Sequence, residues 1–405
     1  MHTILKQKNG GLKQPLIRFA QDLVATPSVS LDEKRVAVKV HDQMRVAGYD
    51  NVFTDEFGNV VGIMHGSELE PAVLLVSHMD TVSPGDAASD AGIPAPGTIR
   101  AGKLYGLGAS DCKGGLAAQV FAGALLKRSL LPLRGTLVVA ATVAEENGRS
   151  IGVRGLIEHT LPKAAITPSF AVLGEPTGLG LYYGHDGWAE LEVRVEGANP
   201  FLVDDAAEAI ADDLDAAAAR RGAEQMRVCR PFLLNDNGMR RASILMSCRV
   251  PEAVAVVDLV NKVKHDAGLA TQHAGTVNVS VAVTEARQEL YTTRATCVRN
   301  AVNAWTTDPF SPVMERARHA LAAAGMESRP GKWRLGRLGM GTAGSVLVSD
   351  FSIPTIGFGP GEEDLAHQPG EYVELDRMHD AVYGTAAIVH SLVGIPVCGW
   401  TSDDI

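Results

Sequence analysis

Residues 135–150, GTLVVAATVAEENGRS, join an apolar run to two adjacent carboxylates, Glu145 and Glu146. The run is short, rich in β-branched residues and free of charge until its end. Parallel strands are covered by helices on both faces, and a strand buried in that way has this composition. Two like charges at its exit need a reason. Successive side chains of an extended backbone point in opposite directions, so the pair can face two different surroundings.

Moving outward, the same arrangement recurs. PAVLLVS (71–77) runs to His78, with Asp80 two residues on. SFAVLG (169–174) runs to Glu175, and SIPTIGFGPGEEDLA (352–366) leads to His367. Between them YGLGASDCKGG (105–115) sets Asp111 before a glycine-hinged helix. Ligands of open α/β sheets collect outside the carboxyl ends of the strands, so these residues are expected on one edge. A set of histidines and carboxylates suits zinc, or a similar borderline divalent ion, better than calcium or magnesium. Five ligands exceed the three of a single catalytic zinc. They fit two ions roughly 3.5–4 Å apart, bridged by one carboxylate.

The surrounding pattern alternates. PLIRFAQDLVATPSVS (15–30) and DEKRVAVKVHDQMRVAGY (32–49) have helical periodicity, the second with Ser30 as N-cap and a stop at Gly48. Between about 187 and 300 the texture changes. WAELEVRVEG (188–197) alternates with period two, and RASILMSCRV (241–250) and TVNVSVAVTEAR (276–287) are further strands. DDAAEAIADDLDAAAARRG (204–222) is a helix, as is PEAVAVVDLVNKVKHDAG (251–268), with Pro251 at its start. The α/β texture resumes near 305 with SPVMERARHALAAAG (311–325) and DRMHDAVYGTAAIVHSLV (376–393). The expected fold is α/β. A catalytic domain, with a mostly parallel sheet flanked by helices, is formed by residues 1–186 and 301–405, and an α+β domain is inserted at 187–300.

Length and charge agree with a two-domain protein: 405 residues, net charge −10. The acidic balance argues against nucleic acid or an anionic membrane as main partner. No apolar run approaches the roughly 18–20 residues of a membrane helix. The first residues, MHTILKQKNGGLKQP, lack the apolar core of a secretory signal. Five cysteines, at 112, 229, 248, 297 and 398, are scattered without metal or redox spacing. A reducing, cytoplasmic location is expected.

Taken in order, LLVSHMDTV (74–82), GLGASDCKGG (106–115), VAEENG (143–148), LGEPT (173–177) and PTIGFGPGEEDLAHQPGEYV (354–373) resemble the co-catalytic zinc amidohydrolases. That family includes acetylornithine deacetylase, succinyl-diaminopimelate desuccinylase, aminoacylase and glutamate carboxypeptidase. ATPSVS (25–30) and DEFGNVVG (55–62) agree with it. The resemblance implies two Zn2+ per chain, with Co2+ or Mn2+ as substitutes. It implies that His78 and Glu175 bind one ion, that Glu146 and His367 bind the other, and that Asp111 bridges them. Asp80 would orient the His78 imidazole, and Glu145 would be the general base. It further implies hydrolysis of an N-acyl amino acid or short peptide. The inserted domain would be a lid and homodimer surface.

The lid departs from the family pattern. Relatives carry a histidine after the first lid strand, and VEGANPFLVDD (195–205) has none, leaving Asn199 as the candidate donor. Loss of one oxyanion donor costs about 100- to 1000-fold in rate. SCRV (247–250) keeps Arg249, but its usual acidic companion is Ser247. GMGTAGS (339–345) offers Gly341 and Thr342 where relatives often have Thr-Asp or Thr-Asn at the substrate end, and YYGHDGW (182–188) has an unusual Asp186. Arg240 and Arg241 are further candidates to clamp a carboxylate. Cys112 is read as a packing residue, with metal contact or oxidation sensing as the alternative. His185, His265 and His273 are read as surface or core histidines. Two other functions remain open on the same fold: a biosynthetic enzyme making a different acyl transfer, cyclisation or bond, and a non-catalytic metal-stabilised binding protein. The intact Glu145 and full ligand set speak against the latter.

Overall fold

Six strands build the central sheet: β1 (Asn51–Thr54), β2 (Val60–Met64), β3 (Ala72–His78), β4 (Thr136–Thr142), β5 (Pro168–Leu173) and β6 (Thr355–Gly357). Their order is β1-β2-β4-β3-β5-β6. The last four are mutually parallel, while β2 runs antiparallel to both β4 and β1. The computed structural model describes residues 1–83, 92–147, 149–221, 226–236, 238–252, 254–270, 277–326 and 337–395; His273 and Cys398 lie outside these.

Every residue of β3 and β4 is buried, which explains why both runs are apolar between Ala72 and Val76 and between Leu137 and Ala141, with polar residues only toward their ends. Alternate side chains serve two cores. Val73 and Leu75 pack with Leu23, Val40, Leu116 and Ile388 from the helices Lys13–Val24, Lys34–Ala47, Gly114–Ser129 and Leu375–Val393. Leu74 and Val76 pack on the other side with Val153, Leu156, Leu161 and Leu347. The register aligns His78 with Thr142, so β3 and β4 end flush and release their loops at one edge. A Cβ at Gly115 would collide with the Gly174 carbonyl, so the Gly-Gly pair lets helix Gly114–Ser129 start directly against the end of β5.

A second sheet follows the order Met226–Val228, Met239–Val250, Gly187–Gly197, Asn278–Val283, all antiparallel. Phe232–Asp236 also pairs with Met239–Val250, and Ala301–Val302 with Gly187–Gly197. Ala189, Leu191, Val193 and Val195 bury one face against Val203, Ala207 and Ile210 of helix Pro200–Arg221 and Leu259 and Val263 of helix Val256–Ala270. Period-two alternation leaves the other face for polar residues, as read from the sequence.

Local boundaries differ at three points. The helix expected to be capped by Ser30 starts at Lys34, because the Ser30 hydroxyl is engaged elsewhere (below); Gly48 ends it in the left-handed conformation, φ +85°. Pro251 opens a turn closed by the Val254 N–H at 2.9 Å, and the helix begins at Val256. TVNVSVAVTEAR divides at Thr284, whose N–H donates to Glu190 O, and Glu285–Glu289 turns away to pair with Ala295–Arg299. A small sheet of Thr98–Arg100, Lys103–Tyr105 and Tyr372–Glu374 was not foreseen. It brings the segment after His367 back beneath Asp111.

Candidate metal centre

The loops leaving β3, β4, β5 and β6 bring His78, Glu145, Glu146, Glu175 and His367 together around Asp111. Asp111 sits between two histidines. His78 Nε2 lies 3.2 Å from its Oδ1, and His367 Nε2 lies 3.2 Å from its Oδ2. His367 Nε2 is also 2.8 Å from Glu146 Oε1. Two overlapping groups result, one of His78, Asp111, Glu175 and Cys112, the other of Asp111, Glu146 and His367, with Asp111 common to both. Cys112 Sγ is buried and receives the His78 N–H at 3.2 Å, so it packs against the ligand strand while standing within the first group.

Asp80 holds this arrangement from behind. Its carboxylate accepts the backbone N–H groups of Glu145 (3.1 Å, Oδ1) and Glu146 (3.0 Å, Oδ2) and the Ser30 hydroxyl (2.6 Å). The contact with the imidazole is made by the Asp80 carbonyl, which accepts from His78 Nδ1 at 2.9 Å; the carboxylate stands at 3.6 Å. A carbonyl can only accept, so Nδ1 carries a proton, and Nε2 is the nitrogen directed at Asp111. Asp80 therefore sets both the imidazole and the loop of the two glutamates.

The site concentrates negative charge where water is scarce. Asp80 and Asp111 are 0% and 1% exposed, and Glu175 is 3% exposed. Burial first, then Glu146, Asp80 and Asp111 push the Glu145 carboxyl up to about 8. Burial, then Asp111, raises Glu175 well above the usual carboxylate range. Burial opposes ionisation of Asp111 as well, but its contacts with His367 and His78 hold it below the ordinary value. Asp111 Oδ2 is buried and accepts no well-aligned hydrogen bond among the described residues. Converging carboxylates and imidazoles, a buried carboxylate oxygen with no well-aligned donor among the described residues and carboxyls whose ionisation is opposed by burial are what a site for divalent metal presents. The donor set fits such ions.

Beside this cluster lies a cavity of about 590 Å3 whose lining includes Glu145, Glu146, His367, Trp188, Arg249 and Gly341. Arg249 and Gly341 thus join the centre. Other candidates from the sequence do not line this cavity within the chain. Asn199 is exposed and its Oδ1 accepts the Phe201 N–H at 3.1 Å, an Asx turn opening helix Pro200–Arg221. Arg240 lies on the same side of its strand as Ala242 and Ile244, toward the helices, and makes a bidentate pair with Asp204 at 2.7 and 2.8 Å. Arg241 points to the opposite side and pairs with Glu196 at 2.5 Å. Thr342 is buried; its N–H donates to His185 Nε2 at 2.9 Å. His185 is a core residue, as read, and burial brings its pKa down to about 4.

Three buried residues escaped the sequence reading. Glu33 Oε1 accepts the N–H groups of Leu31 (3.0 Å) and Ala144 (2.9 Å). Glu371 Oε1 accepts those of Ser110 (2.7 Å) and Asp111 (3.0 Å). Lys113 Nζ donates to the carbonyls of Leu23 (3.1 Å) and Thr26 (2.9 Å). Lys113 and Glu371 had a weak signal, each a charged residue within four positions of a ligand; Glu33 had none.

A sequence profile of peptidase family M20/M25/M40 matches residues 74–391. The chain is 35% identical to Escherichia coli YgeY over 197 residues, covering 48% of this chain and 47% of YgeY, so it aligns with about half that relative's length. It is 28% identical to [LysW]-lysine hydrolase of Deinococcus radiodurans over 400 residues, covering 94% of this chain and 96% of the relative. Among solved structures it resembles Bacillus subtilis YXEP, described as a dinuclear metal binding peptidase from the M20 family. The TM-score is 0.66 at 14% identity, covering 94% of this chain and 98% of that one, a likeness of fold. No helix among the described residues is long and apolar enough to cross a membrane.

Proposed function

The chain belongs to peptidase family M20/M25/M40, and on that premise we propose that it hydrolyses the amide bond of an N-acyl amino acid or short peptide. The observation that carries this reading is Asp111 flanked by His78 and His367 at 3.2 Å on its two oxygens, beside a cavity that also reaches Glu145. His78 and Glu175 would hold one divalent ion, Glu146 and His367 a second, and Asp111 both; zinc is the ion the donors favour. When bound, the ions acidify a water and polarise the scissile carbonyl.

The chain's own residues do the rest. Glu145, whose affinity for protons is raised by burial, takes the proton of the attacking water and returns it to the leaving nitrogen. Asp80 fixes the backbone of Glu145 and Glu146, so base and ligand keep a constant separation. The Arg249 guanidinium has no ion pair or side-chain hydrogen bond among the described residues and lines the cavity, which suits it to hold a substrate carboxylate.

Residues 187–300 are proposed as the lid. Homodimerisation through them is supported by the exposed side chains of Phe232, Leu233 and Leu234 on a strand at the rim of the second sheet. A cytoplasmic location accords with Cys112, Cys229, Cys248 and Cys297 being free thiols. The decisive experiment is a panel of N-acetyl, N-succinyl and N-formyl amino acids and dipeptides offered to zinc-loaded protein. Turnover that stops on chelation and returns with zinc is the expected result. Failure on every member favours the second reading, a different acyl-transfer or bond-forming reaction, toward which the helix-capping role of Asn199 points.

A further inference from the structure

The cavity beside the candidate centre is lined by three arginines, Arg149, Arg227 and Arg249. Their placement follows from strand register. Arg249 stands opposite Trp188, and Arg227 opposite Ser247, on neighbouring pairs of the second sheet. Ser247 and Arg249 share one side of their strand, while Cys248 between them is buried in the core on the other. Trp188, Ser247, Arg249 and Arg227 therefore form one polar wall.

Arg149 reaches that wall from the loop carrying Glu145 and Glu146. Its guanidinium lies 4.7 Å from the centroid of the Trp188 ring, and Nη1 donates to the Glu146 carbonyl at 3.0 Å. Nε is buried with no hydrogen-bond acceptor among the described residues. A planar fork stacked on an aromatic face, with one donor anchored and another buried and unsatisfied, is a site lacking its acceptor. The partners of the Arg149 guanidinium are the Glu146 carbonyl and the Trp188 ring, neither of them a carboxylate.

The geometry points to a second anion subsite at Arg149 and Arg227, so that the favoured substrate carries a carboxylate beyond the one assigned to Arg249. The class is a dicarboxylic N-acyl amino acid, its extra carboxylate in the acyl group or the side chain. This rests on the amidohydrolase reading above and narrows it.

Paired substrates test it: N-succinyl against N-acetyl derivatives of one neutral amino acid, and N-acetylglutamate against N-acetylglutamine. The metal-loaded enzyme should prefer the dianion in at least one pair by about 10- to 100-fold in kcat/KM, the range of one charge-assisted hydrogen bond. Arg149→Gln and Arg227→Gln should each reduce that ratio toward one, and Arg149→Lys should restore part of it. A wild-type ratio of one or below in both pairs, with the amides turned over, overturns the subsite and leaves the hydrolase reading standing. If no amide is turned over, the hydrolase reading fails and calorimetry still decides the subsite. Glutarate should then bind at least 10-fold more tightly than butyrate, and Arg149→Gln should remove that margin with metal content unchanged. A margin that survives in both Gln variants reflects contact with the ions alone and overturns the proposal.

Discussion

Glu33 Oε1 accepts the backbone N–H of Ala144 at 2.9 Å, across 111 positions of sequence. Ala144 has φ +52° and immediately precedes the two glutamates. A left-handed alanine is costly, and this hydrogen bond is one of the contacts that hold it. The aim of Glu145 and Glu146 thus depends on a carboxyl group that touches neither substrate nor ligand.

Glu33→Ala removes the acceptor of the buried Ala144 N–H, a loss of about 1–3 kcal/mol, and that of the half-buried Leu31 N–H. Stability and kcat should both fall while KM and metal content stay near wild type. Glu33→Gln keeps an acceptor oxygen and should restore most of the rate. A kcat for Glu33→Ala equal to wild type would refute a positioning role.

Glu145→Gln removes the proton acceptor but preserves shape. Hydrolysis should drop by about 100- to 10,000-fold, the span of general-base contributions. Metal analysis should find the same ion content as wild type. Retention of full activity would exclude Glu145 as the base.

Asp111 is shared by both groups, whereas Glu175 belongs to one and His367 to the other. Asp111→Ala should therefore lose both ions. Glu175→Ala and His367→Ala should each lose about one of the two expected per chain. Elemental analysis of the three variants decides this; equal losses in all of them would show that the sites do not share a bridging ligand.

Metal removal should make stability fall with rising pH. Burial raises Glu33 to about 7, Glu371 to about 7 and Glu145 to about 8, from an ordinary value of 4.5. The folded state then binds more protons than the unfolded chain between those limits, so the slope of stability against pH is negative from about 4.5 to 8. Lys113, lowered to about 8 by burial, acts in the opposite sense only above that pH, and His185 and His390, lowered to about 4, oppose the three carboxyls only below about 6.5, so the net fall is steepest between about 6.5 and 8. Chelator-treated protein should show a lower Tm at pH 8 than at pH 5, and zinc should abolish that difference. A Tm independent of pH across this window would contradict the assignment.

Much of the site was legible because strand ends write it locally. The uniform runs before His78 and Glu145 are both-face-buried strands, and their flush register at His78 and Thr142 puts the following polar residues on one edge. Arg249 was singled out by the resemblance, as the arginine kept in SCRV, and it lines the cavity. Asn199 and Arg240 do not: the first caps a helix and the second pairs with Asp204 from that helix. Residue type allowed a substrate role for both, but only the docking of helix Pro200–Arg221 on its sheet assigns their partners.

By itself the sequence determined the strand and helix periodicity, the change of texture near 187 and the identity and order of the histidines and carboxylates at the strand ends. These are consequences of burial along a single element. Tertiary structure alone decided that the Asp80 carboxylate serves the glutamate loop while its carbonyl serves His78, that Glu33 and Glu371 hold the ligand backbones, and that Arg149 lies over Trp188. Those pairings join residues tens to hundreds of positions apart. They depend on register and packing between elements, and the periodicity of one element carries no information about another.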